Sequence, residues 1–409
     1  MWHGDLLKAG IDSDGTNIDV MGNLSVLGIP VVGTTFGNAY FVDYRNGADT
    51  NNGKTRDTAL KTLSAAVSAV TTNNNDVIFI DGDSEVVETA MISLTKNRVH
   101  IVTDSSADLP DDVISNQNLT IVPHHIQFGK KLFLDGVDIT PELFYTLMES
   151  EDIVPRTYPA SDEEIHSVFS QLVDEQDIVS IFMSKRMDRA NDMSGIFLAH
   201  QMSSTFGNAT NVIHRNIDAY SNQRMASYRH DDLPEIEVID SKLVSMGTGL
   251  LVMEAIEKIG LGWPAAQVRA YLDKLIPKVR VLFILNTPEN LKQGWQVKEP
   301  KSVLRIKKPI LSIQNGTGVL KLVEQAKDGK DPHLQLERLI REDLLGYRRA
   351  PRIKAAVMHS NDPMWAEEMS LIMMKRFDCG KPIRSRIGPV AGAHCGPGAG
   401  GVAYFPVIE

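Results

Sequence analysis

Cysteine is scarce in this chain: Cys379 and Cys395 are the only two in 409 residues. Two thiols make no disulfide ladder and no CxxC spacing, so no metal is expected and a cytoplasmic, reducing setting is the default. No run of 18 or more apolar residues occurs, and the opening MWHGDLLKAG lacks the basic and apolar regions of an export signal. No stable membrane insertion is expected. Basic charge is also in short supply, with 42 Lys and Arg against 52 Asp and Glu, a formal charge of -10 and no long basic run. That balance argues against nucleic acid as a partner. A GxSxG elbow and a GxxxxGK[ST] phosphate loop are absent. Gly53-Lys54-Thr55 comes nearest to the latter, but no glycine precedes it at the required spacing.

What is present is a foldable composition, 43% hydrophobic and 23% charged, far from the signature of disorder. The length exceeds what one core usually serves, so more than one compact unit is expected. Composition changes near residue 99. Residues 1–98 are rich in Gly, Asn, Thr and Asp, with β-prone runs at Ala39–Val42 and Val77–Ile80 and turn signals at Asn46-Gly47 and Asp81-Gly82. Between them, Leu60, Leu63, Ala66, Val67 and Val70 recur at helical spacing.

From Val99 strands alternate with helices. Val99–Val102, Asp177–Phe182, Ile236–Ile239, Val281–Leu285 and Ala355–Met358 read as buried strands, and Asp162–Val173, Gly247–Ile259 and Met364–Phe377 as helices. This grammar predicts an α/β fold with mainly parallel sheets. The segment from Arg186 to Asp232 reads as a polar, irregular insertion. Ligands in such folds sit at the carboxyl ends of strands. Here those ends carry hydroxyls or glycines: Thr103-Asp104-Ser105-Ser106, Thr157, Ser184, Asp240-Ser241 and the run from Gly388 to Gly401 with His394 inside it. Hydroxyl groups and close-approaching backbone suit a small acid group. The plainer readings are a helix cap or turn at Thr157, a tight turn around His394, and core filling by Met364, Met369, Met373 and Met374 on a helix. His124-His125 has no third ligand at metal spacing.

Two resemblances sharpen this picture. Residues 38–67, followed by NNNDVIFIDGD, resemble the opening of right-handed β-helix proteins of the pectate-lyase and phage type, cut short after about one coil. From residue 99, the segments IVTDSSADLP (Ile101–Pro110), VPHHIQFGKKLFLDGVDITPELFY (Val122–Tyr145), PRTYPASDEEI (Pro155–Ile165), VIDSKLVSMGTGLLVMEA (Val238–Ala255), IKKPILSIQNG (Ile306–Gly316) and IGPVAGAHCGPGAGGVAYF (Ile387–Phe405) resemble, in order, the DegV family. The resemblance implies a two-lobed α/β domain over 99–409, with lobes at 99–260 and 261–409, preceded by the β-rich segment 1–98. It implies a protein that binds a long-chain fatty acid between the lobes and presents the carboxylate to a separate ATP-dependent fatty acid kinase, without catalysis or cofactor of its own.

By the same resemblance, Thr157 takes the role of the family's carboxylate-binding threonine and His394 that of its histidine. The serine between them is open: Ser203 is favoured, because Thr205, Phe206 and Ala209 continue the family pattern, with Ser194 and Ser184 as alternatives. Thr205, Gly392 and Gly396 are further candidates. The chain departs from the family in Tyr158 after Thr157, in Ser204 where glycine is usual, in Leu291–Trp295, and in extra residues after Met187. Three other functions stand beside this one: a Ser/His acyl hydrolase built on His394, a phosphotransferase, against which the missing phosphate loop argues, and a phage-type structural protein dominated by residues 1–98. The abrupt change at Val99 is what a gene fusion or an assembly chimera would leave.

Overall fold

A computed structural model describes residues 99–407 except 117, 151–152, 189–203, 227–232, 287–288, 294–296, 299–302, 304–305, 314–315 and 327–330, and before residue 99 it describes 24–26, 29–31, 39–43, 46–62, 65–66, 69 and 77–80. The chain separates into two units, residues 1–97 with 260–263, and residues 98–259 with 264–409. In the first, β1 (Leu24–Val26) pairs antiparallel with β2 (Ile29–Val31), and β3 (Ala39–Val42) pairs in parallel with β4 (Val77–Ile80). Leu60, expected on a helical stripe, instead bridges Val42: its N–H donates to Phe41 O and its carbonyl accepts from Asp43 N, both at 2.8 Å. The single turn at Arg56–Thr58 delivers Leu60 alongside the strand, and Tyr40, Val42, Leu60 and Ala66 make a small core.

The second unit opens with β5 (Val99–Asp104), whose six residues are all buried. There follow α1 (Asp111–Ile114), β6 (Leu119–Val122), β7 (His125–Phe128), β8 (Lys131–Leu134), α2 (Pro141–Ser150), β9 (Arg156–Tyr158), α3 (Asp162–Leu172), β10 (Asp177–Phe182), α4 (Thr205–Ala226), β11 (Ile236–Asp240), α5 (Met246–Gly260) and α6 (Ala265–Leu275). Four strands form a wholly parallel sheet in the order β11-β10-β5-β6. Burial on both faces explains why apolar residues fall on both faces of β5 and β10, at Ile101 and Val102 and at Ile178 and Val179. The remaining strands make a small antiparallel sheet, β8-β7-β9, whose hairpin turns at Gly129, with φ of 57°. Ser161 starts α3 through a reciprocal bond with Glu164.

The Arg186–Asp232 stretch is not irregular throughout, because 22 of its residues form α4. Ala209, Val212 and Tyr220 recur at helical spacing and pack with Ile165, Phe169 and Ile178. The polar residues between them masked that stripe in the sequence. Helix α6 hydrogen-bonds to β11, Arg269 Nη1 lying 3.0 Å from Val238 O and 3.1 Å from Glu237 Oε2. Helix α6 is thereby tied to the edge of the parallel sheet.

The second lobe contains β12 (Arg280–Ile284), β13 (Val297–Lys298), β14 (Pro309–Ile313), β15 (Leu320–Gln325), α7 (Pro332–Leu344), β16 (Ile353–His359), α8 (Pro363–Arg376), β17 (Ile383–Arg386), α9 (Pro389–Cys395) and β18 (Gly400–Pro406). Its seven strands run β13-β15-β14-β12-β18-β16-β17. The expectation of mainly parallel sheets holds for the first lobe but not here, where β14, β12, β18 and β16 pair antiparallel in succession. The β14–β15 connection, from Ile313 to Leu320, is too short for the crossover that parallel neighbours need, so that pair is antiparallel as well. Alternate residues, Leu282 and Ile284, Ala355 and Val357, Val402 and Tyr404, face α7 and α8 through Leu336, Ile340, Met369 and Met373. Gly400 is required beneath α8, since a Cβ there would stand 2.4 Å from the Trp365 ring.

The lobes are joined at Tyr145 on α2. Its hydroxyl, fully buried, lies 2.8 Å from Ile387 O and 3.0 Å from Ser360 Oγ. Tyr145→Phe leaves that carbonyl without its donor, so denaturant unfolding should show a loss of about 1–3 kcal/mol. An unchanged midpoint would mean that the bond contributes nothing to joining the lobes.

Candidate functional site

Thr157 is the middle residue of β9, opposite Ile126, which is itself opposite Phe133. Directly paired residues share a face, so the threonine hydroxyl emerges beside apolar side chains. A ladder of edge-to-face rings continues that face, Phe133 to Phe128 at 6.4 Å, Phe128 to Phe144 at 5.5 Å and Phe144 to Tyr145 at 5.1 Å between centroids.

His394 reaches the same place from the other lobe, in the last turn of α9. Thr157 Oγ1 and His394 Nε2 are 3.5 Å apart across 237 residues of sequence. Three features fix α9. Asp108 Oδ1 accepts the N–H of Gly388, the cap residue, at 2.9 Å. Gly392 allows close approach to α2, because a Cβ there would lie 2.6 Å from Tyr145 Oη and 2.9 Å from a Phe144 ring carbon. Gly396 ends the helix at a φ of 71°, a conformation that costs glycine nothing.

Asp108 is itself an anchor. It adopts a left-handed conformation, φ 51°, accepts from Ser245 Oγ through Oδ2, and its carbonyl accepts from Ser385 Oγ. Burial pushes its carboxyl well above the usual range. Burial alone drives the His394 imidazole down to about 3, so it is neutral at ordinary pH. A neutral imidazole and a hydroxyl this close can both donate to one oxygen of an acid group.

The other sequence candidates fall in three groups. Ser203 and Ser194 lie outside the described residues. Ser184 is buried and its hydroxyl donates to Gly318 O at 2.7 Å, which commits its proton to the β14–β15 turn. Thr205 starts α4: its N–H donates to Asp188 Oδ2 at 2.6 Å, and its Oγ1 lies 3.5 Å from His124 Nε2.

Sequence reasoning set His124 aside, yet it belongs to the one cluster among the described residues with metal-type geometry, Asp104, His124 and Asp188. The carboxylate oxygens are already engaged. Asp104 accepts from Ser106 N–H and Oγ–H and, at 2.9 Å, from Met183 N–H. Asp188 accepts from Thr205 N–H and pairs with His124 Nε2 at 3.0 Å. The arrangement is a buried, hydrogen-bonded ion cluster. Burial by itself would lower the His124 imidazole, but the Asp188 carboxylate, with Asp104 and Asp135 behind it, lifts it to about 9. Burial likewise raises Asp135 to about 7.

His124 and His394 thus hold opposite charge states, which fixes the sign of a pH test. The folded-state value of His394 lies below that of the unfolded chain, so the unfolded chain takes up a proton first as pH falls. Relative to His394→Asn, the native protein should lose about 1.4 kcal/mol of stability per pH unit below about pH 6.5. Urea unfolding of both proteins at pH 7 and pH 5 measures it, and parallel curves would show that His394 is not buried neutral.

A family model described as an uncharacterised protein of the DegV family matches residues 98–407. A DegV domain-containing protein of Caldanaerobacter subterraneus subsp. tengcongensis is 27% identical over 311 residues, 75% of this chain and 98% of that relative. Three solved structures share the fold. A DegV family protein from Thermus thermophilus, described as binding fatty acid, has a TM-score of 0.61 and 22% identity over 76% of this chain and 100% of its own. A stearic-acid-binding protein from Eubacterium ventriosum scores 0.63 with 21% identity over 75% of this chain and 98% of its own. DegV of Bacillus subtilis, described as a fatty acid binding protein, scores 0.58 with 20% identity over 76% and 100%.

Proposed function

The chain belongs to the DegV family, and from that premise we propose that it binds one long-chain fatty acid, with the acyl chain buried between the lobes and the carboxylate held by Thr157, Ser203 and His394. The approach of Thr157 Oγ1 to His394 Nε2, 3.5 Å, carries this reading. Two donors that close can share one carboxylate oxygen, and bonds to an ionised acceptor are worth about 1.5–3 kcal/mol each. The side chains that share the face of Thr157, Ile126 and Phe133, are apolar, as the surroundings of a tail must be. A head group of hydroxyl and imidazole next to apolar side chains suits an amphiphile better than a sugar or a nucleotide.

Catalysis by this chain is not part of the proposal. A Ser/His hydrolase needs a base whose value lies near the working pH, and burial holds His394 at about 3. We propose instead that a separate ATP-dependent kinase acts on the presented carboxylate, in the cytoplasm. No helix among the described residues is long and apolar enough to cross a membrane.

Denaturing extraction of the purified protein followed by lipid mass spectrometry should recover a stoichiometric fatty acid, because burying an acyl chain contributes about 0.8 kcal/mol per CH₂. Protein that is empty and takes up no added fatty acid would overturn the proposal. Thr157→Val and Ser203→Ala should each weaken binding by about 1–3 kcal/mol, roughly 5- to 150-fold, with little change in stability.

A further inference from the structure

We propose that His124 is a positioning residue for the fatty-acid site, fastening the sheet that carries Thr157 and the first turn of α4 to one buried point. The inference rests on the fatty-acid reading above and deepens it.

His124 sits in the short link between β6 and β7, 1% exposed. Its backbone N–H donates to Ser105 Oγ at 3.1 Å and its carbonyl accepts from Asp135 N at 2.9 Å, which pins the start of β7 to the loop after β5. Two residues on, Ile126 pairs with Thr157, so the height of the threonine hydroxyl is registered from this anchor.

The side chain holds a second segment. Nε2 meets Asp188 Oδ1 at 3.0 Å, and the other oxygen of the same carboxylate takes the first N–H of α4, at Thr205, at 2.6 Å. A carboxylate at a helix N-terminus satisfies an otherwise orphan donor and meets the positive end of the helix dipole. Asp188 and Thr205 are 17 residues apart. Together they hold the turn after β10 to the start of α4, and His124 carries the charge that neutralises this clamp.

The groups facing the imidazole are Asp104 at the end of β5, Asp135 after β8, Asp188 after β10 and Thr205 on α4. All three acids are buried, and the charge of His124 acts on Asp104 and Asp135 as well as on Asp188. Loss of its charge leaves buried carboxylates facing one another, a strongly unfavourable state. The natural relief is for Asp188 to withdraw and release α4. The imidazole's raised value gives the window: the stability it contributes is complete below about pH 6.5, the charge itself persists to about pH 8, and both are lost as pH rises through about 9.

Binding of decanoate by titration calorimetry, from about pH 8 upward to leave the Asp135 transition behind, tests the assignment. In the native protein affinity should fall about tenfold or more between about pH 8 and pH 10. In His124→Gln and in Asp188→Asn it should already be low at pH 8 and independent of pH. Thr157→Val should lose the same factor at every pH and keep the native slope, which separates positioning from direct contact. A native protein whose affinity is flat over this range overturns the assignment even if neither clamp variant folds, as does a folded His124→Gln protein with native affinity and slope. A native protein that binds no fatty acid at any pH condemns the fatty-acid reading instead.

Discussion

A buried carboxyl group, that of Asp108, is the constraint on which the site depends. Removing such a group from water costs several kcal/mol unless bonds replace the lost hydration. Here Gly388 N–H and Ser245 Oγ–H satisfy the side chain, and Ser385 Oγ–H satisfies the carbonyl of the same residue. Three segments from two lobes are held at one residue. Asp108 and Ser245 both adopt left-handed backbone, φ 51° and 53°, which costs each about 1–3 kcal/mol and persists because the bonds over-determine it. From Gly388, α9 acts as a rigid arm. His394 lies six residues along, about 9 Å at the rise of a helix, so the anchor at one end sets the imidazole at the other.

Close packing then decides what the arm can touch. Gly392 brings α9 so near α2 that Tyr145 and Phe144 fill the space where a side chain would be. Those rings continue the ladder through Phe128 and Phe133 to the sheet carrying Thr157. Polar donors and apolar wall are consequently built from the same contacts, and a shift that opened one would disturb the other. Interiors at this density do not deform continuously. The clamp of His124, Asp188 and Thr205 extends the logic to α4, with charge in place of ring packing.

How much of this was legible in the sequence depended on how local the signal was. Strands such as Asp177–Phe182 and helices such as Asp162–Leu172 announce themselves by apolar run, period and cap. Helix α4 was legible in principle, since Ala209, Val212 and Tyr220 keep helical spacing, but its polar majority hid the stripe. The antiparallel core of the second sheet was not legible, because a buried strand looks alike in either direction and only connection length discriminates. Thr157 and His394 were singled out through motif likeness, whereas their 3.5 Å approach spans 237 residues and no spacing encodes it. Asp108 with Gly388, 280 residues apart, and His124 with Asp188, 64 apart, were invisible for the same reason. Each side chain looked like an ordinary loop residue until the fold supplied its partner.

The contrast between the two histidines bears on selectivity. A permanently charged imidazole at the head-group position would attract any small anion, whereas His124 keeps its charge only because three acids surround it and so offers none outward. Burial holds His394 neutral instead, at a value of about 3. A neutral imidazole donates to a carboxylate oxygen without being charged, so under the proposed function a small anion gains no more from it than a hydrogen bond, and the preference for long-chain acids rests on the tail, at about 0.8 kcal/mol per buried CH₂.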